Sequence, residues 1–218
     1  MLVHPWDAPL DDAEWHAVLR RHPFGVLSTM GAVDGWPVAV PTQFTLAGTD
    51  PLEVLLHLAH PNPVWAALEQ DDRVLLTVAA EWAYIPSDWK AVPGEDPQMG
   101  IPTTYYAAVV LAARATVLDD PADKAAVLRA QLADVQPGVD VADPAEHGRT
   151  LAGIRGLRLR VDHVRAKLKY GGNADDAHRA VVAAHLAERD GPGDAVALKH
   201  LRRRHPYLST PDAEGRPG

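Results

Sequence analysis

Apolar positions along the first half of the chain come in short bursts separated by turn residues, which is the spacing of a protein built mainly from strands. Trp15, Val18 and Leu19 fall on one face of a helical period between Leu10 and Arg21, with Asp11 or Asp12 placed as N-cap and His22-Pro23 closing the segment. Phe24 to Met30 reads as a strand. The Asp34-Gly35 pair is a hairpin signal leading into Trp36 to Leu46. Glu53 to Ala59 is a third strand, and Arg73 to Ala80, apolar on both faces, is a central fourth. Between them Asn62-Pro63 opens a short helix through Leu68, with Asn as cap and Pro at the first helical position.

The second half changes texture. Glu81 to Pro102 holds four of the nineteen prolines and little periodicity, which predicts a long loop, a common place for function. Tyr106 to Leu118 is a strand, Asp120-Pro121 caps a helix to about Val135, and Gln136 to Ala145 is a polar surface connection. From Gly156 to Val164, Leu157, Leu159 and Val161 alternate with Arg158, Arg160 and Asp162, the period of a half-buried strand. Helices over Ala174 to Arg189 and Asp194 to Arg204 close the chain. Short strands in hairpin order, with helices inserted irregularly, predict an α+β protein, mainly β: a small antiparallel barrel with peripheral and C-terminal helices.

Length and composition narrow the function classes. A chain of 218 residues, 47% hydrophobic, supports one substantial core, so a single domain is expected over residues 1–210, with a disordered tail at 211–218. The net charge of -8 argues against a broad nucleic-acid surface, which needs Lys and Arg to neutralise phosphates. With no cysteine, chemistry must come from His, Tyr, Lys, carboxylates or a cofactor, and a reducing compartment fits. No apolar run approaches the roughly 20 residues that span a bilayer, and the N-terminus lacks a secretory pattern. A cytoplasmic protein is expected. No glycine-rich dinucleotide or phosphate loop is present.

Three constellations carry candidate chemistry. The first is His57-Leu58-Ala59-His60-Pro61-Asn62-Pro63, a strand end running into a helix start. Side chains three apart point to opposite faces of a strand, so His57 and His60 do not both reach one ligand if the strand continues. His57, fixed among apolar neighbours, suits an axial iron ligand or a hydrogen-bonded core histidine, and His60 is released into the turn. The second is Arg165-Ala166-Lys167-Leu168-Lys169-Tyr170-Gly171-Gly172-Asn173, with three cations on one strand face. It suits phosphate or carboxylates, or else a solvated basic edge. The third is the aromatic stretch Trp82 to Lys90 with its exit Ile101 to Tyr106, either a sandwich for a flat ring or ordinary loop packing. His16, His22, His147, His163, His178, His185, His200 and His205 show no metal spacing and read as solvated, as do the terminal arginines Arg202, Arg203 and Arg204.

In this order Arg21-His22-Pro23-Phe24-Gly25, His57 to Pro63, Ala83-Tyr84-Ile85 with Ser87 and Trp89, Ile101-Pro102-Thr103, and Lys167-Leu168-Lys169 with Asn173 follow a known set of motifs. The sequence resembles the PaiB-type FMN-binding split-barrel family, often labelled negative transcriptional regulators. That resemblance implies an FMN-binding split barrel that forms a homodimer and holds its cofactor at the dimer interface. Three departures bear on the cofactor: His60 where the family usually has Arg, Thr104-Tyr105 where it has Trp-Asn, and Tyr170-Gly171-Gly172 where it has Ser-Gln. Arg grips phosphate bidentately and His does not, which turns the expectation from FMN toward heme b. The branch includes heme-dependent enzymes similar to piperazate synthase, which form a nitrogen-nitrogen bond from a side-chain N-hydroxylated ornithine. On that resemblance His57 is the metal ligand and His60 its rival. The cofactor-binding set is His57, His60, Asn62, Trp89, Lys167, Lys169 and Asn173, and the lysines and Asn173 hold propionates or the substrate carboxylate. Tyr84, Tyr105 and Tyr106 are the candidate catalytic proton donors. The alternatives are an FMN-dependent oxidoreductase and a cofactor-binding regulator.

Overall fold

Burial alternates residue by residue along the strands, and that alternation decides which side chains are left for function. In the computed structural model, which describes residues 1–209, the elements in chain order are α1 (Asp12–Arg21), β1 (Phe24–Val33), β2 (Trp36–Gln43), β3 (Thr45–Thr49), β4 (Leu52–Ala59), α2 (Val64–Gln70), β5 (Arg73–Ile85), β6 (Thr103–Leu118), α3 (Pro121–Val135), α4 (Arg149–Ala152), β7 (Ile154–Lys169), α5 (Asp176–Arg189) and α6 (Asp194–Arg204). The tail expected at 211–218 lies outside the described residues. Seven strands form one sheet in the order β2-β1-β5-β6-β7-β4-β3. The pairs β1 with β2, β1 with β5, β3 with β4 and β4 with β7 are antiparallel. The expected α+β class with an antiparallel sheet is what the chain adopts. No helix among the described residues is long and apolar enough to cross a membrane.

Contacts divide the chain into two compact units. Besides Met1, the first comprises Ala13–Val78 and Val109–Arg165; the second comprises Leu2–Asp12, Ala79–Ala108 and the described part of 166–218. In the first unit Asp34 and Gly35 both take positive φ, at 54° and 80°, and join β1 to β2 as the hairpin signal predicts. The buried face of β4 is Leu52, Val54, Leu56 and Leu58, which leaves Glu53, Leu55 and His57 on the other face. Asp120 caps α3 by accepting from Ala122 N at 2.8 Å, so the helix starts at Pro121 as expected. In the second unit Ala166, Leu168 and Tyr170 are buried, and the intervening Lys167 and Lys169 share the opposite face.

Two expected elements are corrected. Trp36 to Leu46 is two strands: Phe44 is buried in the core, its N–H donates to Pro23 O at 3.0 Å, and β3 then pairs with β4 instead of β1. Part of the loop expected over Glu81 to Pro102 is strand, because β5 continues to Ile85 with Ala83 and Ile85 buried and Trp82 and Tyr84 exposed. Burial falls on even positions through Val78 and on odd positions from Ala83, so the strand changes phase between them, and the irregular backbone begins at Pro86.

Gly31 of β1 lies against α2 so closely that an added Cβ would stand 1.9 Å from Ala67 O. Gly31→Ala must push the helix away, and overpacking of this kind costs about 1–3 kcal/mol. Urea unfolding should show that loss for Gly31→Ala, whereas Gly35→Asn, in an open turn that tolerates positive φ, should cost less than about 1 kcal/mol.

Candidate functional site

In the first unit, the face of β4 opposite the core meets α3. His57 is half-buried there, and its Nδ1 lies 2.6 Å from Gln131 Oε1. Gln131 is itself buried, and its Nε2 donates to Gln43 O at 3.4 Å. A carbonyl accepts only from an amide N–H, so that bond turns Oε1 toward the imidazole. A neutral His57 that donates from Nδ1 to this oxygen carries its lone pair on Nε2, the arrangement in which one ring nitrogen is anchored and the other can ligate. Sequence reading missed Gln131, although a polar residue in the buried phase of α3 beside Val127 was a signal.

His60 sits apart from His57 in role. Its side chain is exposed, and its backbone N–H is held by Gly153 O at 2.8 Å. Pro61 does release it into a turn, which is clamped by Trp65 Nε1 donating to Ala59 O at 3.0 Å and by Asn62 Oδ1 accepting from Val64 N at 3.0 Å. Asn62 thus holds the first N–H of α2, while Pro63, expected as the first helical residue, stands at the N-cap and the helix starts at Val64. Among the described residues no group of three or more His, Cys, Asp or Glu side chains gathers as a metal cluster.

The second unit holds a cleft of about 800 Å³. It brings together the loop exit and the end of β7, with Lys90, Thr103, Tyr105, Lys169 and Asn173 in its lining. Tyr105 is 1% exposed, and its hydroxyl has no hydrogen-bond partner among the described residues. Burial pushes that phenol up to about 12, against a smaller lowering by Arg179. Gly171 makes room for it: φ is +71°, and an added Cβ would lie 2.3 Å from the Tyr105 oxygen. Lys169 Nζ donates to Thr103 Oγ1 at 2.6 Å. Lys90 has its ammonium pushed down, by burial first and then by the Lys169 charge.

The other expected residues are distributed differently. Lys167 shares the strand face of Lys169 but is spent: its Nζ lies 3.5 Å from the buried Asp7 and donates to Leu2 O at 3.2 Å. Its ammonium also stands 6.0 Å over the half-buried Tyr106 ring. Tyr84 is exposed on β5. Trp89 is buried against His185, stacked at 4.9 Å, and the Arg189 guanidinium lies 4.3 Å from its ring, so ordinary packing accounts for it.

Several histidines read as solvated are not. His185 is the stacking partner of Trp89, and His200 stacks on Tyr170 at 4.6 Å. His178 lines the cleft, with Nδ1 2.7 Å from Asp175 Oδ1 and Nε2 3.0 Å from Glu95 Oε2. Both ring nitrogens face carboxylates, which favours the imidazolium, and the two contacts raise its pKa, Asp175 first. Arg204, expected as part of a solvated helix end, donates to the carbonyls of Trp6, Ala8 and Leu168.

A family described as "Putative FMN-binding domain" matches residues 1–163. The chain belongs to this FMN-binding domain family. Two solved structures show the same split-barrel fold. The flavocytochrome Anf3 from Azotobacter vinelandii is 22% identical, with 76% of this chain and 71% of that one covered and a TM-score of 0.59. An FAD and heme binding protein from Mycobacterium smegmatis is 20% identical over 85% of this chain and 81% of that one, with a TM-score of 0.57. No curated protein matches the sequence. The matched FMN-binding domain includes His57, His60, Asn62, Trp89 and the three candidate tyrosines, whereas Lys167, Lys169, Asn173 and His178 follow it.

The His178 bridge makes stability pH-dependent. A raised folded-state pKa means that its stabilisation is complete below the unfolded value of about 6.5 and is lost as pH rises through the raised value. Asp175 and Glu95, both lowered, stay ionised through that window. The stability difference between wild type and His178→Ala, measured by urea unfolding, should be largest near about pH 6 and shrink at higher pH. A difference that grew with pH would contradict the bridge.

Proposed function

We propose that this chain is a heme-binding biosynthetic enzyme with His57 as its axial iron ligand. The observation that carries this reading is the His57 to Gln131 hydrogen bond, because it fixes the tautomer with Nε2 unprotonated. A proximal histidine needs that preparation, and a partner on the second nitrogen commonly changes metal affinity 10–100-fold. The residues present therefore fit heme at this position. The two solved neighbours named as a flavocytochrome and as an FAD and heme binding protein support the same cofactor class.

The chemistry proposed is that of the piperazate-synthase-like members of the PaiB-type branch. A side-chain N-hydroxylated ornithine closes on itself: the α-amino nitrogen bonds to the side-chain nitrogen, the nitrogen-oxygen bond breaks, and the oxygen leaves with two protons as water. Heme, when bound, supplies a Lewis acid or redox partner. Proton transfer falls to a side chain. Tyr105 remains a candidate donor, since a phenol raised to about 12 stays protonated at neutral pH and its hydroxyl has no protein acceptor among the described residues.

Family membership favours a second reading, a flavin-dependent oxidoreductase. Its phosphate would have to be held without Lys167, which is paired with Asp7, and without an Arg at position 60. In either case the protein is proposed to act as a homodimer. Phe24, Val26, Met30, Trp36 and Leu75, on the adjacent strands β1, β2 and β5, are all exposed, an amount of bare apolar surface that favours self-association.

Purified protein should show a single Soret band that shifts on reduction; the two-band spectrum of flavin would replace the heme reading with the second one. Gln131→Leu should lower heme affinity by about tenfold or more in titration with hemin. Heme-loaded protein should convert the N-hydroxylated ornithine to a product lighter by one water in mass spectrometry. An untouched substrate removes the piperazate-type chemistry and leaves heme binding standing.

A further inference from the structure

Lys90 ends the short 3-10 turn Asp88–Lys90, whose central Trp89 is buried against His185 and the Arg189 guanidinium. Its N–H donates to Ser87 O at 2.9 Å. Gly100 brings the returning loop onto the same turn, since an added Cβ would stand 1.9 Å from Ser87 O and 3.0 Å from Lys90 Cβ. The backbone under Lys90 is therefore fixed, and the half-buried side chain lines the cleft of the second unit.

A lysine in water is an ammonium ion with no lone pair to offer. Lys90 departs from that state: burial first, and then the Lys169 charge, push its ammonium down, with Asp175 opposing in part. Lys169 is tied in place, because its Nζ donates to Thr103 Oγ1 at 2.6 Å. Asp175 is taken up by His178, whose N and Nδ1 lie 2.9 and 2.7 Å from its Oδ1. Among the described residues no hydrogen bond or ion pair holds the Lys90 amine. A desolvated lysine beside a second cation is prepared as an amine nucleophile.

The same cleft supplies a proton donor. The Tyr105 hydroxyl is buried and has no partner among the described residues, so a ligand oxygen that reaches it satisfies an otherwise unpaired donor. Met99, Ile101 and Pro102, all exposed, add an apolar side to the lining. We propose that Lys90 is a nucleophile that forms an imine with an aldehyde bearing an apolar chain, with Tyr105 donating to the carbonyl oxygen. The lone pair of Lys90 Nζ attacks the carbonyl carbon, the carbon–oxygen bond breaks, and the oxygen leaves as water with the two protons that the neutral amine gives up. Tyr105 donates the first of these to the oxygen and recovers it from Nζ. The step needs no oxidant or reductant. Its site is built of second-unit residues alone and does not rest on heme at His57.

The chain has five lysines, Lys90, Lys124, Lys167, Lys169 and Lys199, so peptide mass spectrometry can follow each one. The full chain is treated at neutral pH with hexanal and cyanoborohydride, which reduces an imine to a stable secondary amine. A parallel sample is treated with acetic anhydride, which reads the free amine without a proton donor. Both reagents should modify Lys90 at least about tenfold faster than the other four lysines. Tyr105→Phe should slow the hexanal reaction at Lys90 by about tenfold or more and leave its acetylation unchanged, which separates a lost proton donor from a lost fold. Lys169→Met removes the neighbouring charge and should slow both reactions at Lys90. Hexanal modification spread evenly over the five lysines, an unmodified Lys90, or wild-type hexanal rates in Tyr105→Phe would each overturn the proposal. None of these measurements reads the cofactor, so their failure leaves heme binding standing and a missing Soret band leaves Lys90 standing.

Discussion

A strand has two faces, and on β4 the inner one is filled by Leu52, Val54, Leu56 and Leu58. That packing fixes the register of the strand, because a slip by one residue would send Leu52, Val54, Leu56 and Leu58 outward and bury Glu53, Leu55 and His57. The same constraint forces His57 onto the face that meets α3, where Gln131 anchors its Nδ1. The candidate ligand is thus oriented by a hydrophobic requirement that has nothing to do with chemistry. Pairing of β4 with β7, from Glu53 opposite Arg160 to Ala59 opposite Ile154, holds the strand along its length.

Much of the fold was legible where one residue type performs one local task. Asp34-Gly35 made the hairpin, Asp120-Pro121 started α3, and Asp194 to Arg204 formed a helix with those bounds. The errors came where a long-range contact overrode a local pattern. Phe44 broke a polar and β-branched run because the core takes its ring, and no neighbour in sequence announces that. The extension of β5 through Ile85 was hidden by prolines that begin only at Pro86.

Candidate sites were readable as residue types and unreadable as partners. Lys167 and Lys169 are equivalent in the sequence pattern, yet one is neutralised by the buried Asp7 from the start of the chain, and the other faces the cleft. Likewise His178 looked like a surface histidine three residues beyond a helix cap, and only the fold brings Glu95 to its second nitrogen. Charge pairing across long sequence separations decides which cations are available, and spacing alone carries no record of it.

The central claim is that His57 presents Nε2 to iron. Replacing His57 by Gly removes the ligand without adding another, and imidazole added to the solution can then take its place. The account predicts that His57→Gly binds hemin weakly by itself and regains the wild-type Soret spectrum when imidazole is supplied. Hemin binding by His57→Gly with a wild-type spectrum in the absence of imidazole would contradict it.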